Sequence, residues 1–368
     1  MGYGYRISAA SAGASPPDGT AAGMALRATT PTPAPAPTPA PTPASAPTPR
    51  GVAEAVMHSP DEPTLLPPGR TNSIGYMISV LGDEWNLLII RCAVFGVTRY
   101  CEWKRKLPIS DAVLTRRLAG LTELGVFERV EYQSRRYEYR LTRRGRGIWP
   151  ILLAIYSWEF RWVPVRLHKL PQVIHRGCGE LLSVVVVCAD CGQPVRPRDV
   201  DARLGPSGDW SRWAPESTTR RRAAPPQERP PMMYAQTTAL IGNRWSAVIL
   251  GGAFLGLRRF HEFEQGLSAP PTIVADRLRA FCDIGVFRQV AEGGRADRPA
   301  YRLTGKGHAF FPVILMSTDW AERWFHAPEG PAVVVRHPRG GHPFRPRLVC
   351  AGCGVTPRAT DVDVVGCT

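Results

Sequence analysis

The chain repeats itself, and the repeat fixes the unit that must fold. LGDEW at 81–85 returns as IGNRW at 241–245, and LGVFERV at 124–130 returns as IGVFRQV at 284–290, both at an offset of 160. The offset then becomes 162: YRLTRRGRG at 139–147 matches YRLTGKGHA at 301–309. Trp158 and Trp162 match Trp320 and Trp324, and CADCG at 188–192 matches CAGCG at 350–354. Ordered matches over so many positions are not chance. The unit is a helical domain plus a cysteine-bearing appendix, present twice. A length of 368 residues agrees with two or three domains at about 150 residues each.

Within the first copy the apolar spacing gives the order of elements. NSIGYMISVLGDEWNLLIIRCAVFG reads as two helices broken at Gly82–Asp83, with Trp85, Leu88, Ile89 and Cys92 on one face of the second. Cys92 on that stripe reads as a small buried hydrophobe. TRYCEWKRKLP is a third helix stopped near Pro108. ISDAVLTRRLAGLTELG, Ile109–Gly125, is a fourth, with Leu114, Leu118 and Leu121 buried and Ser110 and Asp111 as cap candidates. VFERVEYQSRRYEYRLT then alternates apolar and polar residues around a polar turn, the pattern of a hairpin. A last helix, GIWPILLAIYSWEFRW, carries more aromatic surface than a small domain needs and reads as a pairing helix. Three helices, a reading helix and a hairpin are the order of a winged helix-turn-helix.

The expected fold class is mainly α with small β wings: two winged helix-turn-helix domains, each followed by a small zinc-knuckle-like appendix. Residues 1–70 form a Pro/Ala/Thr-rich tail that cannot bury enough surface to fold. The first winged helix spans 71–167 and its appendix 168–205. A polar linker covers 206–230, the second winged helix 231–329 and the second appendix 330–368.

LGDEWNLLIIRCAVFG, ISDAVLTRRLAGLTELGVFERV and YEYRLTRRGRGIWPIL, with their second-copy counterparts, resemble the HxlR-type winged helix-turn-helix transcriptional regulators. The resemblance covers roughly 71–163 and 231–325. It implies double-stranded DNA as the partner, bound by a pair of winged helices joined through their terminal helices. One chain with two copies would supply that pair internally, as a pseudo-dimer, with a homodimer as the larger assembly. Many members sense oxidants through a cysteine thirteen residues ahead of the tryptophan. Here Asn72 and Met232 stand at those places, so that route is not expected.

The DNA-facing candidates follow from the helix and the hairpin tip. Thr115 and Arg116 lie off the apolar face, nearest the base edges, with Ser110 as a further DNA-binding candidate at the helix start, while Arg117 either reaches phosphate or stabilises the helix. Arg135 and Arg136 at the tip suit the DNA backbone or the narrow minor groove. In the second copy Arg277 and Arg279 are the candidates. There Asp276 replaces Arg116, and Pro270 and Pro271 open the helix without donors, so copy one is expected to dominate contact with DNA.

The appendix carries paired short spacings. His175 with Cys178, and Cys188 with Cys191, read as four ligands for a structural Zn2+ with no position left for water. In the second appendix His337, Cys350 and Cys353 align with His175, Cys188 and Cys191, while Gly340 replaces Cys178. His342 and Cys367 are the alternative fourth ligands there.

Composition separates the remaining classes. The net charge is +15, and residues 1–70 contribute none of it, since four arginines balance four acids there. A basic folded region points to a polyanion. No stretch of about 18 apolar residues occurs, so no membrane partner is expected. No secretory pattern occurs either, so the cytoplasm, where thiols stay reduced, is the expected compartment. An enzyme is not expected: RFHEF around His261 lacks the second histidine of a zinc protease motif. The alternative function is a protein-interaction scaffold with little direct DNA readout. A small-molecule effector would sit between the winged helices and the aromatic terminal helices.

Overall fold

The computed structural model describes residues 61–163, 171–213, 235–292, 295–337 and 342–365. The tail to residue 60, most of the linker, Met232, Gly340 and Cys367 lie outside the described residues. A short strand β1 (Thr64–Leu65) precedes copy one, whose helices are α1 (Ser73–Leu81), α2 (Glu84–Val94), α3 (Tyr100–Lys106) and α4 (Asp111–Glu123). The wing β2 (Phe127–Gln133) and β3 (Arg136–Leu141), a turn of helix α5 (Arg143–Arg146) and the terminal helix α6 (Trp149–Trp162) complete it. Its appendix holds β4 (Gln172–His175), β5 (Val184–Cys188) and β6 (Asp201–Leu204). Copy two repeats the order as α7 (Ala235–Ile241), α8 (Arg244–Phe254), α9 (Phe260–Gly266), α10 (Pro271–Asp283), β7 (Phe287–Glu292), β8 (Arg295–Leu303), α11 (Gly305–His308) and α12 (Phe311–Trp324). It ends with β9 (Phe325–His326), β10 (Val333–His337), β11 (His342–Pro343), β12 (Pro346–Cys350) and β13 (Val362–Val365). The duplicated winged helix-turn-helix expected from the repeat is therefore the observed fold.

Local chemistry explains the boundaries. Asp83 accepts from the backbone N–H groups of Trp85 and Asn86 and so starts α2, and Asn243 does the same for α8. Gly125 and Gly285 take positive φ, 69° and 74°, which ends each reading helix and turns the chain into its wing. The core of copy one closes on Trp103, which is fully buried, donates to the Ile89 carbonyl and meets Phe127 edge-on. Phe263 fills the same place in copy two.

The two copies pack on each other through their ends. The α6 and α12 helices lie together, α1 lies on α12, and α7 lies on α6. Two equivalent bonds cross the contact: the Trp158 indole donates to the Lys306 carbonyl (3.0 Å) and the Trp320 indole to the Arg144 carbonyl (2.9 Å). Asp83 and Asn243 form an antiparallel bridge, so equivalent residues meet at an internal pseudo-two-fold axis.

The appendices correct the expectation of one self-contained unit per copy. Strand β4 pairs with β13, β5 with β12, and β6 with β10, all antiparallel and all between copies. A two-stranded ribbon is marginal by itself, and interleaving gives the strands of each appendix a partner and a shared core. Leu182, Val186, Leu348 and Val349 are buried there.

Candidate nucleic-acid face and metal centres

Helix α4 buries Leu114, Leu118 and Leu121 and turns the rest of its surface outward. Ser110, Thr115 and Arg116 are exposed, and no other described residue buries them. Ser110 occupies the N-cap position without a side-chain cap bond, which leaves its hydroxyl available. Thr115 lies near the Tyr100 hydroxyl (3.4 Å), which donates in turn to Asp111 (2.8 Å). That hydroxyl, and after it the Lys104 ammonium, hold the Asp111 carboxyl below the usual carboxylate range. Arg117 turns away from this face: it pairs with Asp83 at 2.6 Å, both side chains about one-fifth exposed. Its place is therefore a brace between α4 and the start of α2.

The wing tip holds Arg135 and Arg136, both exposed. Arg135 has φ of 59°, a left-handed conformation that costs a non-glycine residue free energy, and its backbone N–H donates to Glu131 (2.7 Å). Arg136 reaches Gln133 (3.5 Å). Beside them Arg129 stacks on Tyr137 at 3.7 Å and Arg99 on Tyr132 at 4.6 Å. The sequence reading did not single out these two arginines, because their ring partners come from another element: Arg99 at the start of α3 meets Tyr132 of β2, and Arg129 of β2 meets Tyr137 of β3.

Copy two presents a different surface. Asp276 and Arg279 pair at 3.7 Å on the exposed side of α10, and Arg277 is half-buried. Pro270 and Pro271 stand at its N-cap and first position, so this helix start lacks the two backbone N–H groups that Ser110 and Asp111 supply in α4.

The Cys and His residues converge, but not as the sequence grouped them. His175 and Cys178 do not meet Cys188 and Cys191. His175 and Cys178 join Cys350 and Cys353, while Cys188 and Cys191 join His337 and His342. The reason lies in the β5–β12 register: Cys188 is opposite Pro346 and Cys350 opposite Val184, so the two cysteines sit at opposite ends of the pair. Each knuckle therefore finds the histidine strand of the other copy. Within each set the ligand atoms lie within 4.8 Å of one another.

Both sets can hold a metal ion. Metal–sulfur bonds of about 2.3 Å and metal–nitrogen bonds of about 2.0–2.1 Å imply tetrahedral edges of about 3.8 Å for S···S and about 3.6 Å for S···N. Cys178 Sγ is 3.9 Å from Cys350 Sγ and 3.5 Å from His175 Nδ1, and Cys353 Sγ is 3.3 Å from His175 Nδ1. In the other set Cys191 Sγ is 3.7 Å from His337 Nδ1. His342 Nδ1 lies 2.9 Å from the Pro343 carbonyl, which fixes the proton there, and its buried Nε2 has no hydrogen-bond partner. An orphaned imidazole nitrogen with its opposite nitrogen so anchored is a ready ligand atom. Gly179, Gly192 and Gly354 take φ of 71° or 72° behind the knuckles, a turn that side chains resist. Asp190 stands beside the second set, its carboxyl held low by the Arg345 guanidinium.

A cavity of about 320 Å³ opens between α1 of copy one and α8 and α12 of copy two. Among the described residues no helix is long and apolar enough to cross a membrane.

A family model described as HxlR-like helix-turn-helix matches residues 80–166 and 240–329. An HTH-type transcriptional regulator of Mycobacterium tuberculosis is 36% identical over 136 residues, 36% of this chain and 86% of that protein. One from Bacillus subtilis is 34% identical over 89 residues, 23% of this chain and 82% of its own. One from Methanothermobacter thermautotrophicus is 33% identical over 89 residues, 23% of this chain and 68% of its own.

Proposed function

The chain belongs to the HxlR-like helix-turn-helix family, a family of DNA-binding transcriptional regulators and not of enzymes, and on that premise we propose that it reads a specific DNA sequence chiefly through copy one. The observation that carries this reading is the uncovered face of α4, where Ser110, Thr115 and Arg116 stand clear of the protein. In the major groove Thr115 and Arg116 contact base edges and Ser110 contacts a phosphate. Arg135 and Arg136 follow the backbone or enter the minor groove. Arg117 serves through its bond to Asp83. Arg277 and Arg279 make the weaker contacts of copy two, since Asp276 offsets Arg279 and repels phosphate. Repression is the expected outcome of such occupancy, and the cytoplasm its place.

Zn2+ is the proposed ion at both Cys/His sets, because thiolate and imidazole donors in fours suit its tetrahedral preference. The ions are structural: four protein ligands leave no position for a reacting water. Each ion ties one copy to the other, so the metal holds the two winged helices as one internal pair. A small-molecule effector belongs to this reading too, with the cavity between α1, α8 and α12 as its place. A homodimer is the larger assembly to look for.

Fluorescence-anisotropy titration of the full chain against genomic fragments, repeated across salt, tests the function. Selective retention of particular fragments that weakens steeply with salt is the expected result. Equal, weak binding to all fragments would favour a second reading, a protein-interaction scaffold, for which the prolines and Asp276 of α10 speak.

A further inference from the structure

We infer that copy two carries a binding site for a small, uncharged, hydrophobic molecule. The inference rests on the regulator reading only where it calls the molecule an effector.

The duplication supplies an internal comparison. At one place the first helix of copy two, α7, lies over α2 and α6 of copy one. Leu88, Arg91, Leu152, Ile155 and Thr237 leave a void of only about 20 Å³ there. At the equivalent place α1 lies over α8 and α12, and the void is about 320 Å³. Four substitutions between the copies shorten the lining, and the first is Ala247 where copy one has Leu87. Gly251 stands where copy one has Arg91, Ser317 where it has Ile155, and Thr318 where it has Tyr156. Tyr156 is buried and its hydroxyl accepts from the Val173 N–H (3.0 Å), so its ring occupies the space that Thr318 leaves open. A Cβ added at Gly251 would meet nothing closer than the Trp213 ring at 4.0 Å. The filled copy shows that this architecture does not need the cavity.

The lining states the chemistry. Met77, Ile78, Val248 and Phe254 make it apolar. Its one charged residue, Asp201, is already paired with Arg203 at 3.0 Å. Trp213 closes one side with its ring. The volume is about twice that of a 150 Å³ cavity that accepts benzene, which suits a two-ring molecule. Because α8 also supports α10, and α1 leads into α2, an occupant touches the framework of both reading helices.

The probe is prodan, a neutral two-ring naphthalene ketone whose emission reports an apolar site. The full chain should bind one prodan per molecule with blue-shifted emission. Gly251→Leu should weaken binding at least tenfold by filling the space. Ser317→Ile replaces Gly251→Leu if circular dichroism shows that variant unfolded. Prodan should change DNA affinity at least threefold, and DNA should change prodan affinity by the same factor. No saturable site, or affinity unchanged in the filling variant, overturns the site. DNA affinity that is measurable yet identical with and without prodan overturns the effector role. DNA retention is scored separately. Its loss with prodan binding intact counts against the regulator reading, and the reverse pattern against the pocket.

Discussion

Cys178 and Cys350 are 172 residues apart in sequence, yet their sulfurs are 3.9 Å apart. They belong to different copies, and that contact sets which ligands serve which ion. Native mass spectrometry should find two Zn2+ per chain. Removing Cys178 and Cys350 together should cost one ion, because both hold the same one. Removing Cys178 and Cys188 together should cost both, since each then damages a different set. The opposite pattern would return the chain to one closed site per appendix. Metal binding to such sites is folding free energy, so a strong chelator should lower the melting temperature by about 10 °C or more.

Arg116 and Arg135 should fail in different ways. Arg116→Ala should cost about 1–3 kcal/mol of discrimination between the preferred fragment and its single-base variants. At Arg135 an alanine would still have to adopt the left-handed φ of 59°. Arg135→Gly removes the charge and relieves the turn together, so it should leave the fold intact and lower the salt slope by about one. Salt-dependent anisotropy separates the two. An unchanged fragment preference in Arg116→Ala would remove α4 from base reading.

Arg117 should behave as a stability residue. Its partner Asp83 also caps α2 and lies on the pseudo-two-fold axis beside Asn243. Arg117→Ala leaves a half-buried carboxylate without this guanidinium and should cost about 1–3 kcal/mol in urea unfolding. Asp83→Asn installs the residue that copy two uses as a cap, so it should keep the cap and lose only the ion pair. A change in the salt slope of DNA binding, larger for Arg117→Ala than for Arg135→Gly, would reverse these assignments.

The repeat and the apolar spacing made the winged helices legible, because Leu114, Leu118 and Leu121 are buried by contacts local in sequence. The cysteine knuckles were legible as ligand pairs for the same reason, since Cys188 and Cys191 share one turn. Which pair joins which was not, because the register of β5 on β12 decides it and spacing carries no register between distant strands. His342 was visible only as a substitute, and its orphaned Nε2 needed coordinates. The role of Arg117 was open because a helix position states a direction and not a partner.

Arg144 shows what burial does to a cation, and a lysine there should make it measurable. The side chain is 1% exposed and donates to the carbonyls of Leu124 and Glu62 and to Thr64, while its guanidinium lies over Phe325 at 4.9 Å. Burial pushes it down to about 10. The wild type therefore stays protonated, folded or unfolded, below that pH, and this group adds no pH slope. A lysine starts near 10.4, and a like shift would bring it to about 8 in the folded state. Between those values the unfolded chain of Arg144→Lys binds the extra proton. Stability should then rise with pH, by up to about 1.4 kcal/mol per unit, from about pH 8 to 10. Urea unfolding across that range checks it, and a flat profile would mean that water reaches the site.

Asp276 offers a gain-of-function test of unequal reading by the two copies. It occupies the place of Arg116 and pairs weakly with Arg279 across exposed surface, 3.7 Å apart, a pair worth less than about 1 kcal/mol. Asp276→Arg removes one repulsion from phosphate and frees Arg279, so affinity for DNA of any sequence should rise and the salt slope should steepen by about one to two. Preference among fragments should stay with copy one, because Pro270 and Pro271 still open α10 and the new arginine has no selected base to meet. If the variant instead acquired a new fragment preference equal to that of α4, copy two would be a full reading module held back by one carboxylate. Competition between fragments, scored by sequencing the retained DNA, decides between these outcomes.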